Sequence, residues 1–105
     1  TGEKEITWNY KNDSLLNGIG YYQTGEKKFD YNYKNGVAQG ISLEYYRTGE
    51  KKMEWNYSNG ELNGISIQYL KNGKKKAKWN YKNGELSGES IEYYENGNVK
   101  RVLNF

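Results

Sequence analysis

The segment Thr48–Lys71 reads TGEKKMEWNYSNGELNGISIQYLK, and the fold can be worked out from it. Met53, Trp55 and Tyr57 alternate with Lys52, Glu54, Asn56 and Ser58, and Ile65, Ile67 and Tyr69 alternate with Ser66 and Gln68. Period two over a handful of residues predicts half-buried β-strands rather than a helix. Tyr, Trp and Ile are also strand formers. The two strands are joined by Asn59-Gly60-Glu61-Leu62-Asn63-Gly64, and the second is followed by Lys71-Asn72-Gly73-Lys74. Asn-Gly is a strong hairpin signal because a type I′ turn needs positive φ at both central residues. The expectation places such hairpins at Asn72-Gly73 and, as Thr-Gly, at Arg47-Thr48-Gly49-Glu50. Neither connection is long enough for a parallel crossover, so neighbouring strands run antiparallel.

Outward from this segment the same unit recurs. Thr24–Arg47 and Asn72–Glu95 align with it without a gap. Thr1–Gln23 is a copy one residue shorter, read as gaining a residue near Asp13-Ser14 and losing two between Gly18 and Tyr21. Asn96–Phe105 opens a fifth copy. The repeats therefore span 1–23, 24–47, 48–71, 72–95 and, in part, 96–105 of a single domain. Because the chain starts where a preceding Tyr-Tyr strand would belong and stops inside a repeat, a longer array is expected around it. Down the columns stand Gly2, Gly25, Gly49, Gly73 and Gly97, then Asn9, Asn32, Asn56, Asn80 and Asn104. Each column meets the same surroundings in every copy.

The predicted architecture is all-β: an antiparallel meander of about nine strands in one elongated, twisted, open sheet, extending roughly 40 Å. The aromatic columns are expected to share one side, with an Asn ladder and the Ser42, Ser66, Ser90 ladder on the other. No amphipathic helix remains to form a second layer. The aromatic side is then closed by curvature, paired with another copy, or used for a partner.

The composition excludes several function classes. The 105 residues hold no Cys, His or Pro, so there is no thiolate, imidazole base, zinc site or disulfide framework. No apolar run approaches the roughly 20 residues of a membrane helix, and Thr-Gly-Glu-Lys-Glu is not a signal peptide. The compartment stays open between cytoplasm and export. A mean hydropathy of −1.17 is low, but a net charge of only +3 and 12 Tyr with 3 Trp argue for order rather than disorder. No catalytic, cofactor or metal site is expected, because carboxylates such as Glu44 and Glu92 recur as columns rather than as one singular constellation.

Two candidate surfaces remain. One is the aromatic face of Trp8, Tyr10, Tyr31, Tyr33, Trp55, Tyr57, Trp79 and Tyr81, which cross-strand packing also explains. The other is a basic stripe of Lys27, Lys28, Lys51, Lys52, Lys75 and Lys76, suited to anionic lipid but equally to solubility and edge protection. The Glu3, Glu26, Glu50 column beside it offsets its charge, and the charge balance argues against nucleic acid.

The Tyr-x-Asn-Gly-x-x-x-Gly spacing, carried by Trp55, Tyr57, Asn59, Gly60, Gly64, Tyr69 and their equivalents, resembles the MORN repeat. It is most similar to the longer bacterial variant of YwqK-type antitoxin-repeat proteins. The resemblance covers essentially the whole chain, and Asp13, where the other copies have Gly, departs from it. It implies a β-hairpin array without catalytic residues, acting in protein interaction or scaffolding, self-association included, with membrane association in some members. The cell-wall-binding repeat, also rich in Gly, Trp and Tyr-Tyr, ranks second because it lacks the Asn-Gly-x-x-x-Gly link. Under that reading the Trp/Tyr face would bind glycan.

Overall fold

The computed structural model describes residues 6–105, so Gly2 and Glu3 of the repeat columns lie outside the described residues. Twelve strands follow in order: β1 (Ile6–Lys11), β2 (Ser14–Tyr21), β3 (Lys27–Lys34), β4 (Val37–Ala38), β5 (Gly40–Tyr45), β6 (Lys51–Ser58), β7 (Glu61–Leu62), β8 (Gly64–Tyr69), β9 (Lys75–Lys82), β10 (Glu85–Leu86), β11 (Glu89–Tyr93) and β12 (Val99–Asn104). Nine of them form one antiparallel meander, β1-β2-β3-β5-β6-β8-β9-β11-β12. The two-residue strands β4, β7 and β10 branch off β3, β6 and β9. The molecule measures 43 × 32 × 17 Å, and nine strands at about 4.8 Å spacing account for the long dimension. The sheet is a single open layer, as the sequence predicts. No helix among the described residues is long and apolar enough to cross a membrane.

The type I′ turns lie elsewhere than expected. Positive φ at both central residues occurs at Asn35-Gly36, Asn59-Gly60 and Asn83-Gly84, and at Asn12-Asp13 in the first copy. These four pairs close two-residue hairpins, such as β6–β7 where Ser58 faces Glu61. Asp13 replaces glycine there because Asp tolerates the left-handed region. The connections at Thr48-Gly49 and Asn72-Gly73 are longer turns with positive φ only at the glycine. In the first of them Gly49 N–H donates to Tyr46 O and Tyr46 N–H to Glu50 O, the pattern of a three-residue loop ending in a glycine bulge.

The six-residue link is thus a tight turn, two paired residues and a bulge. Tyr57 faces Leu62, whereas Glu54 faces Ile67, so two extra residues are taken up around Asn63-Gly64. In the first copy Tyr10 faces Leu15 and Asn9 faces Asn17, so only one residue is extra. That single deletion explains the shorter repeat. It corrects the gain-and-loss alignment of the sequence reading and puts Gly18 in the serine column.

The serine column is not on the polar side. Directly opposed residues in an antiparallel pair share a side. Ser42 faces Trp55, Ser66 faces Trp79 and Ser90 faces Leu103. The aromatic side therefore alternates large and small residues, with Trp8, Gly18 and Tyr31 continuing the row. All three serines are buried, Ser66 completely. Met53 and Ala77, one row along, are the buried hydrophobic residues among those described. The opposite side carries Asn56 against Ile41, Asn80 against Ile65, Glu54 against Leu43 and Lys78 against Ile67. Neither side is purely polar. In place of a two-layer core, rings lie down over small neighbours within one layer.

Candidate functional site

The aromatic side is built by this alternation. A Cβ on Gly18 would stand 2.4 Å from Trp8 Cζ3, and one on Gly20 would stand 2.2 Å from Phe29 Cε2, so both rings rest flat on glycine. Phe29 and Tyr31 stack with centroids 4.4 Å apart and planes inclined by 20°. The inner members Tyr31, Tyr33, Trp55, Tyr57, Trp79 and Tyr81 are half-buried. Trp8 and Tyr10 on the edge strand β1 are 45% and 62% exposed, and Leu103 and Phe105 at the other end are 41% and 59% exposed. The eight residues of the candidate face share one side, but the openly exposed rings gather at its two ends.

Between β3, β5 and β6 the aromatic side opens into a hollow of about 290 Å³, lined by Tyr31, Tyr33, Ala38, Ser42, Glu44, Trp55 and Tyr57. Glu44 Oε2 accepts the Trp55 indole N–H at 3.0 Å and the Tyr31 hydroxyl at 3.2 Å. Burial, reinforced by Glu44, pushes the Tyr31 phenol from 10.0 up to about 12, so it remains a donor. Tyr57 is raised in the same direction, by burial first and then by Glu44. In sequence Glu44 is one member of a repeated column with Gln68 and Glu92. The contrast with Gln68 in that column is visible in the sequence, whereas the contrast with Glu92, which Arg101 holds, needs the structure.

The lysine pairs do not run as one stripe. A bulge opposite Tyr45 takes up Lys52, because Glu44 faces Met53 while Tyr45 faces Lys51. The same step recurs at Tyr21 and Tyr69. Lys27 and Lys51 belong to the side opposite the aromatic face, with ion pairs to Asp30 at 3.6 Å and Glu54 at 3.0 Å. They also approach the Tyr45 and Tyr69 rings at 5.9 and 5.3 Å. Lys28 and Lys52 approach Tyr22 and Tyr46 at 5.7 and 5.9 Å. Lys75 and Lys76 are exposed, and Lys75 lines a shallow groove with Lys74, Tyr93 and Asn96. Four of the six cations are thus within cation–π reach of a tyrosine.

The second tyrosine of the first two Tyr-Tyr pairs makes a contact that strand periodicity does not show. Tyr22 and Tyr46 hydroxyls donate to the backbone carbonyls of Tyr45 and Tyr69, both at 2.7 Å. Each bond ties one repeat to the next. Its signal was the recurrence of the column, broken at Leu70.

No curated protein matches the sequence. The MORN repeat variant matches residues 38–59, 62–83 and 86–105, together more than half of the chain. Each matched unit starts inside a two-residue strand, and the first two end on the Asn of a type I′ turn. The family unit therefore straddles the 24-residue period read from the sequence. With three units matched, and with the turns, glycines and aromatic columns placed alike in each, the chain belongs to the MORN repeat variant family.

Proposed function

We propose that the chain is a non-catalytic repeat module that binds protein across its aromatic side, with a second copy of itself as the first candidate partner. The observation that carries this reading is a single-layer sheet whose aromatic side has no second layer among the described residues, with Trp8, Tyr10, Leu103 and Phe105 exposed on it. Exposed apolar side chains at both ends of a half-buried aromatic row mark candidate interaction sites. Membership in a family of repeats supports it too, since a periodic surface presents the same contacts every two strands, about 10 Å apart, and suits an extended partner better than a reaction centre. Light scattering over a concentration series tests the self-association arm. A molar mass that rises toward twice the chain mass supports it, and a constant monomer mass at the highest concentration removes it.

A second reading rests on one departure from the repeat. Lys78 occupies the column held by Asp30 and Glu54, and Lys71, Lys74, Lys75 and Lys76 stand close to it in sequence. This part of the sheet suits an anionic lipid surface. Liposome sedimentation decides it: pelleting at low salt that fails at high salt supports the reading, and no pelleting at low salt ends it.

A further inference from the structure

The hollow around Glu44 departs from the repeat in two independent ways. Ala38 opposes Tyr33, whereas Leu62 opposes Tyr57 and Leu86 opposes Tyr81 in the following copies. The smaller side chain opens the space that a leucine occupies elsewhere. In the other row Glu44 is followed by Gln68, which is neutral, and by Glu92, which Arg101 holds through Nε at 2.6 Å and Nη2 at 3.1 Å. Glu44 instead receives two neutral donors, Trp55 N–H and Tyr31 O–H, on the same oxygen. Lys28 and Lys52 line the adjoining cleft with it, yet they lie over the Tyr22 and Tyr46 rings and form no ion pair with Glu44. The result is a carboxylate with no ion-pair partner among the described residues, walled by Tyr31, Tyr33, Trp55 and Tyr57.

The geometry points to a binding site for a substituted ammonium cation in this hollow. Aromatic faces attract a cation through their quadrupoles, and a quaternary ammonium suits them because it is weakly hydrated and offers no N–H that needs a partner. The carboxylate supplies the counter-charge in a half-buried setting, where attraction exceeds its value in water. At about 290 Å³ the hollow is at the small end for ligand sites and accommodates a cationic head group rather than a large metabolite. A free choline-like molecule and a methylated lysine side chain both present this chemistry. The site is complete within one chain, so it does not depend on the self-association reading, although it opens on the same side.

The test is an NMR titration following the indole N–H of Trp55, assigned with Trp55→Phe. Choline chloride is expected to shift that signal saturably, and its uncharged isostere 3,3-dimethyl-1-butanol is not. Glu44→Gln and Ala38→Leu each install the residue that the next repeat already carries, so both keep the fold. The first is expected to weaken choline binding at least about tenfold and the second to abolish it. A trimethyl-lysine peptide, run against the same peptide with unmodified lysine, distinguishes a protein source from free choline. Equal binding of the uncharged isostere, wild-type affinity in both variants, or no shift with choline at tens of millimolar overturns the proposal. Diffusion measured on the same sample reports self-association separately, so failure of one reading is not mistaken for failure of the other.

Discussion

The Tyr46 hydroxyl donates to the Tyr69 carbonyl one repeat further on, at 2.7 Å, and the same bond joins Tyr22 to Tyr45. Leu70 occupies this column in the third copy, so the corresponding bond from there to the Tyr93 carbonyl cannot form. Leu70→Tyr is expected to supply it, and Lys76 would approach the new ring as Lys52 approaches Tyr46. One such hydrogen bond contributes ~1 kcal/mol. For a chain of this size that raises Tm by about 4–8 °C. Calorimetry of the variant checks the sign, and an unchanged or lower Tm would deny that this bond ties repeats together.

The two kinds of Asn-Gly turn respond differently to the same substitution. Asn59 has φ 51°, and a β-branched residue there is strained, so Asn59→Val is expected to cost about 1–2 kcal/mol. Asn72 has no positive φ and contributes a side-chain bond to Lys74 N–H at 2.9 Å. Asn72→Val is expected to cost less than half as much. Urea unfolding of the pair measures the gap, and equal losses would contradict the turn assignment.

Gly18 is held to glycine by the indole of Trp8 resting on it. Gly18→Ser places a Cβ in that ring, although serine fits the same column at Ser42, Ser66 and Ser90. The expected cost is about 1–3 kcal/mol, with Trp8 displaced outward. A red shift of Trp emission together with a lower urea midpoint is the predicted result, and an unaltered spectrum would show that the ring does not lie there.

Alkaline pH should destabilise the sheet in a defined window. The Tyr31 phenol is raised from 10.0 to about 12, chiefly by burial, so the folded state holds its proton longer than the unfolded state. The associated stability is complete below pH 10 and is lost as the pH rises through about 12. Tyr57 and Tyr69 shift in the same direction, again chiefly by burial. Unfolding midpoints followed from pH 9 to pH 12 should fall steeply in the wild type and less steeply in Tyr31→Phe. Identical slopes would remove Tyr31 from the account.

Much of the fold was legible because repetition multiplies weak signals. Trp55, Tyr57 and their equivalents fix strand period, and short connections force an antiparallel meander. What stayed hidden was register. The spacing presents Asn59–Gly64 as one six-residue link, whereas Glu61 and Leu62 pair with Ser58 and Tyr57 and two further residues are bulged out. Where the bulge is placed decides which residues face Trp55, so Ser42 and Ser66 went to the wrong side in the sequence reading. Both are small enough to sit beneath an indole, a fact that appears only once cross-strand partners are known. The Glu44 hollow was hidden for a related reason. Ala38 and Glu44 each look like ordinary variation within a column until the sheet brings them to the same depression.

The central claim is that the exposed aromatic side of this single layer is a protein-binding surface, used first by a second copy. Sedimentation velocity on wild type and on Trp8→Ser with Phe105→Ser, from ~10 μM to ~500 μM, tests it most directly. The account predicts a weight-average sedimentation coefficient that climbs with concentration in the wild type and stays at the monomer value in the double variant. A wild-type chain that remains monomeric across the whole range would contradict it.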